Sequence, residues 1–209
     1  MTRNDYQKSV FINCPFDNQY RPLFDALIFA VLTCGFRPRC ALEIDDASEV
    51  RIEKIFKIIA ACRYGIHDIS RIETNIQSGL PRFNMPLELG LFLAAKRFGT
   101  GRQAKKACLV LDSLPYRYQQ FISDIAGQDI QAHHNDPVEV ITVIRNWLRG
   151  YSPEAAILGG TEINRRYLLF TQELPALCER LKWQPEELTF IDYAQLVSRW
   201  LELQTSPEV

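Results

Sequence analysis

The chain has 209 residues, 47% of them hydrophobic and 23% charged, with a formal net charge of −1. That is enough chain for a sizeable core, and it gives no bulk electrostatic drive toward nucleic acid or an anionic membrane, so neither is expected as a partner. The longest apolar run, PLFDALIFAVLTCGF at 22–36, is interrupted by Asp25 and too short to span a bilayer, and the first residues lack a secretory-type apolar segment, so a cytoplasmic protein is expected.

In chain order, residues 9–16 (SVFINCPF) are rich in β-formers and stop at Pro15, which predicts a first strand. Residues 20–34 follow as a helix with apolar positions 23, 24, 27, 28, 31 and 32, close to the 3.6-residue period, and Gly35 closes it. A second strand is expected over 36–42, shortened by Pro38, then a helix over 49–63 capped by Ser48. Residues 64–69 (YGIHDI) read as a buried third strand and 71–83 as a polar loop. Asn84 is expected to cap a helix over 85–98, with Pro86 tolerated in its first turn. Residues 106–112 (KACLVLD) have the continuous apolar character of a strand covered on both faces. A helix over 116–126, a short strand at 130–132 and a helix over 137–149 capped by Asp136 complete the series.

Strands alternating with helices in this way predict an α/β domain over 1–150, a five-stranded parallel sheet flanked by helices with right-handed crossovers. The character changes after Gly150. Residues 151–160 read as a hinge-like connection, and 161–182 and 185–203 as two amphipathic helices. This C-terminal helical appendage, 151–209, is expected to pack on the α/β core or on a second subunit, with its last residues frayed. None of the six cysteines forms a CxxC pair and most lie in apolar segments, which predicts buried free thiols. Neither they nor the three histidines have metal-ligand spacing, so no metal is expected.

Polar residues gather where the strands end, the edge at which open α/β sheets bind ligands. At the first strand's exit, Asn13, Phe16 and Asp17 either hold a sugar hydroxyl and stack on a base, or form an Asx turn beside a core Phe. The chain has neither a GxGxxG fingerprint nor a P-loop. At the second exit, Glu43, Asp45 and Asp46 either solvate a loop or hold a divalent cation, and Arg51 is either their partner or an anion contact. On the third strand, alternation places His67 and Ile69 on one face and Asp68 and Ser70 on the other. A buried Asp68 needs partners, and the pair either belongs to a site or Asp68 caps the next turn. Glu88 falls in the first turn of an otherwise apolar helix. It either serves the helix dipole or stands in a crevice as a nucleophile or a stabiliser of an oxocarbenium-like centre. Arg82 and Asn84 lie just upstream, placed to close over a ligand. Asp124, Gln128, Asp129, His133 and His134 read as structural.

The segments Phe11-Ile12-Asn13-Cys14-Pro15-Phe16, Asp68-Ile69-Ser70 and Leu87-Glu88-Leu89-Gly90 resemble the nucleoside 2-deoxyribosyltransferase family and the related TIR-like nucleotide-binding domains. The resemblance spans residues 9–112. It implies a flavodoxin-like (Rossmann-like) fold and cleavage or transfer of an N-glycosidic bond in a nucleoside, nucleotide or NAD-like substrate. Glu88 would be the nucleophile and Asp68 would orient the substrate, with Asn13, Phe16, Asp17, Ser70, Arg82 and Asn84 around it. No cofactor is implied, and a homo-oligomer is expected. The chain departs from the family where Asn13-Cys14 replaces a glycine, and where Arg82-Phe83-Asn84-Met85-Pro86 replaces an Asp-x-Gly-Thr element. The alternative is a non-catalytic nucleotide-sensing module that signals through its C-terminal helices or by oligomerising.

Overall fold

The computed structural model describes residues 3–43, 46–72, 80–152 and 156–205. Five strands, β1 (Ser9–Asn13), β2 (Arg37–Arg39), β3 (Tyr64–Asp68), β4 (Ala107–Asp112) and β5 (Gln131–Ala132), form one sheet in the order β2-β1-β3-β4-β5. All four pairings are parallel. This is the flavodoxin-like strand order. In the central register Val10 lies opposite Tyr64 and Asn13 opposite His67, while Asp68 lies opposite Leu111, so the polar residues share one edge.

Side-chain alternation divides the core. Val10, Ile12, Tyr64, Ile66, Leu109 and Leu111 turn to the face covered by α2 (Arg21–Thr33) and α5 (Pro137–Gly150). Phe11 and Val110 turn to the face covered by α3 (Arg51–Ala61) and α4 (Asn84–Phe98). The larger cluster continues into α6 (Gly160–Leu181) and α7 (Phe190–Thr205). There Phe29 of α2 meets the rings of Tyr167, Phe170 and Trp200. Among the described residues no helix is long and apolar enough to cross a membrane. All six cysteines are free thiols.

Several boundaries differ from the sequence reading. The short helix α1 (Arg3–Lys8) precedes β1. Both β1 and β2 are shorter than their β-forming stretches. Ser48 does not cap α3, because its amide and hydroxyl both donate to Asp46 Oδ1, at 2.9 and 2.6 Å, and the helix begins after Val50. Asn84 is the first residue of α4, not its cap, which moves Glu88 from the first turn to the second. The helix expected over 116–126 is two 3-10 turns, Arg117–Gln120 and Ser123–Ile125. Tyr116 takes a left-handed backbone and Ile122 a non-helical one, at φ −146° and ψ 59°, so no α-helix can run through. The helix expected over 185–203 is likewise a 3-10 turn, Pro185–Glu187, followed by α7. Thr189 and Asp192 form a reciprocal cap there: the Thr189 amide donates to Asp192 at 3.0 Å and the Asp192 amide to Thr189 Oγ1 at 3.2 Å. Asp136 caps α5 as expected, accepting from the Val138 amide at 2.8 Å. Gly35 ends α2 in the left-handed region at φ +78°, its amide on the Leu32 carbonyl.

Candidate functional site

The chain leaves β1 toward the α2 face and β3 toward the α4 face, so the carboxyl ends of these neighbouring strands bound a topological switch point. Ligands of open α/β sheets sit in that crevice. On its α4 side stands Glu88. The residue is only 7% exposed, and among the described residues its carboxylate has no hydrogen-bond partner. Burial pushes its pKa up to about 7, against an opposing pull from the nearby Arg51 guanidinium.

The floor of this side is built tightly. The Asn13 side-chain amide donates to His67 Nδ1 at 3.1 Å and to the Met85 carbonyl at 2.9 Å, tying the end of β1 to the start of α4. With Nδ1 accepting, the ring proton sits on Nε2, which is buried without a partner. Burial, and then the Lys106 charge, push the His67 pKa down to about 3, so the imidazole is neutral. Gly65 makes room for it: a Cβ there would lie 2.6 Å from His67 Nε2 and 2.8 Å from the Phe92 ring. Asn13 thus spends its amide on the fold instead of a substrate hydroxyl.

Asp68 turns to the opposite face of the sheet, as alternation predicts. It is fully buried. Tyr20 donates its hydroxyl to Asp68 Oδ2, His133 Nε2 stands 3.0 Å from the same oxygen, and the Ser70 amide donates to Oδ1 at 2.8 Å. These contacts hold its pKa below the ordinary range in spite of burial. Asp68 therefore has an internal set of partners, the Ser70 amide of the next turn among them, where the resemblance implied that it orients the substrate. It faces away from α4, and both it and Glu88 act on Cys14, whose thiol burial and the two carboxylates push up. The Ser70 hydroxyl is buried without a partner among the described residues, and its carbonyl accepts from Arg117 at 2.6 Å.

Asp17 gathers the loops. Its carboxylate accepts from the Tyr20 amide at 3.1 Å and pairs with Arg82 at 3.1 Å and Arg71 at 3.6 Å. Arg82 is thereby drawn over the β1 exit, while Asn84 is exposed at the start of α4. Phe16 is partly exposed, its ring edge-on to Phe24. Both rings line a cavity of about 420 Å³ that Arg51 also borders. Of the second-exit acids, Glu43 is held by Arg39 at 2.5 Å and Asp46 by Ser48; residues 44–45 lie outside the described residues.

Two groups escaped the sequence reading in this role. His133, assigned to a structural cluster, joins Asp68. Asp112, at the end of β4, binds Arg117 at 2.7 Å, and burial raises its pKa. The signal for Asp112 was present, since it ends its strand one residue past the partner of Asp68. Compared with known proteins, the chain matches no family model, and no curated protein or solved structure matches it either.

Proposed function

We propose that the chain cleaves or transfers an N-glycosidic bond in a nucleoside, nucleotide or NAD-like substrate, with Glu88 as the carboxylate that meets the anomeric carbon. One observation carries this reading: a buried acid with no hydrogen-bond partner among the described residues, held beside the switch-point crevice. An unpaired buried carboxylate is destabilising, and active sites are where such groups are kept. The resemblance to nucleoside 2-deoxyribosyltransferases and TIR-like domains agrees with it and rests on the residues alone.

In the step, the C–N bond to the base breaks and its electron pair leaves with the base; a purine or pyrimidine takes up a proton from water, whereas the cationic nicotinamide of an NAD-like substrate leaves neutral without one. Glu88, ionised, bonds to or stabilises the electron-poor anomeric carbon, and water or a second base then takes its place. Arg51 favours the ionised form of Glu88. Phe16 offers a face for the base, and Arg82 a donor over the crevice. Asp68 acts as a positioning residue through Tyr20 and Ser70.

The test is release of free base from a panel of nucleosides, nucleotides and NAD by the parent chain and by Glu88→Gln. The reading expects base from the parent and a loss of at least a hundredfold in the variant. The sealed position of Asp68 favours the second reading, a module that binds a nucleotide without turning it over. Tight binding with intact ligand recovered would select that one.

A further inference from the structure

The cavity on the β1–β2 side of the crevice, about 420 Å³, takes its walls from three places. Phe16 and Asn18 come from the β1 exit, Arg51 and Lys54 from the first turn of α3, and Phe190 from the start of α7. Its charges do not balance. Asp17 is occupied by Arg71 and Arg82, and Arg21 by Asp25 at 2.8 Å. Of the acids near α3, Glu43 is engaged by Arg39 and Glu49 by Lys57, while Asp46 accepts from Ser48 and also feels the Lys54 charge. Among the described residues, Arg51 and Lys54 make no ion pair.

Val50 caps α3 without a side-chain bond, and its carbonyl accepts from the Glu53 and Lys54 amides, at 2.9 and 3.3 Å, so the positive end of the helix lies at the same turn as these cations. Glu88 does not line the cavity, but α3 and α4 pack side by side, Ile55 in one cluster with Phe92, and Arg51 at the start of α3 is the charge that acts on Glu88. Two cations without an ion pair among the described residues, a helix N-terminus and an aromatic ring on the α3 side of a sugar-directed acid form a combination suited to a phosphorylated nucleoside.

We propose that this cavity is a phosphate subsite: Arg51 and Lys54 hold the 5′-phosphate of a nucleotide whose sugar reaches Glu88, so the substrate is a nucleotide and not a free nucleoside. The proposal rests on the reading of Glu88 as the group that meets the anomeric carbon. The C-terminal helices belong to the subsite, because the turn into α7 closes its far wall and is held there by Arg21, which donates to the Leu188 carbonyl at 3.1 Å, and by Phe190 stacked on Phe24.

The experiment is calorimetric titration of the full chain with matched pairs of nucleoside and nucleoside 5′-monophosphate, with NAD and with inorganic pyrophosphate, alongside base-release assays. Arg51→Gln/Lys54→Gln, at solvent-reachable positions, is compared with the parent after thermal melts establish that both are folded. The proposal expects each 5′-nucleotide to bind at least tenfold tighter than its nucleoside, and the double variant to erase that difference. A preference for NAD or pyrophosphate over monophosphates would assign the subsite to a diphosphate group. Equal affinity within the pairs, a preference that survives the double substitution, or no binding of any probe would overturn it. The two readings fail separately. Base released only from free nucleosides, with equal affinity within the nucleoside–nucleotide pairs, removes the phosphate subsite and leaves Glu88 its role. Phosphate preference without base release from any probe removes the chemistry and leaves the subsite.

Discussion

Glu88 carries a strain that pH can read. Its pKa stands at about 7 in the fold against an ordinary 4.5. Between those values the folded chain keeps a proton that the unfolded chain releases, so this residue makes stability fall as pH rises through the window. Glu88→Gln removes the effect. The variant is expected to be more stable than the parent at pH 8, by as much as about 3 kcal/mol, with the gap closing toward pH 4.5. Denaturant melts at the two pH values check this; a constant gap would contradict it. His67 acts in the opposite sense, since its pKa of about 3 means that stability is lost as pH falls below its ordinary 6.5. The sequence made Glu88 visible as an acid on an apolar helix. It did not show that Asn13 and Asp68 would be used up internally, because a polar residue at a strand end looks the same whether it faces a ligand or a neighbouring side chain.

At the scale of elements, the crevice depends on where α3 and α4 are held against the sheet. Lys106, just before β4, is almost wholly buried and donates its ammonium to the carbonyls of Ile59, at 2.6 Å, and Cys62. It thus caps the carboxyl end of α3, the helix whose other end presents Arg51 and Lys54. Burial pushes its pKa down to about 8. Lys106→Met keeps the stem and leaves these carbonyls unpaired, so a loss of about 1–3 kcal/mol is expected in denaturant melts. Element order and the apolar strands were legible from period and composition. Helix starts were less so. Ser48 and Asn84 have the chemistry of caps, yet Asp46 claims the first, and the chain turns one residue earlier at the second. The pair Thr189 and Asp192 did carry a cap signature in the sequence, hidden inside an amphipathic stretch that reads as one helix.

At the scale of the whole molecule, the C-terminal helices share the core of the sheet. Ile163, Phe170 and Val197 are fully buried in the same cluster as Phe29 and Ile141. Removing residues 151–209 would uncover that face of α2 and α5, and the truncated chain is expected to aggregate or to elute as a swollen species on size exclusion. A compact, cooperatively melting product would contradict this. Sequence pattern could separate the two regions but not join them, because amphipathic helices declare an apolar face without naming what covers it. The shared core also places the turn into α7 beside the β1 exit, where Leu188 and Phe190 line one cavity with Phe16 and Arg51. The most direct test of the role of Glu88 is the pH profile of base release by the parent chain and by Glu88→Gln, with nucleosides, nucleotides and NAD as substrates. The account predicts parent activity that rises with pH through about 7, as Glu88 loses its proton, and a variant that releases no base above background at any pH. Base release by Glu88→Gln at the parent's rate would contradict it.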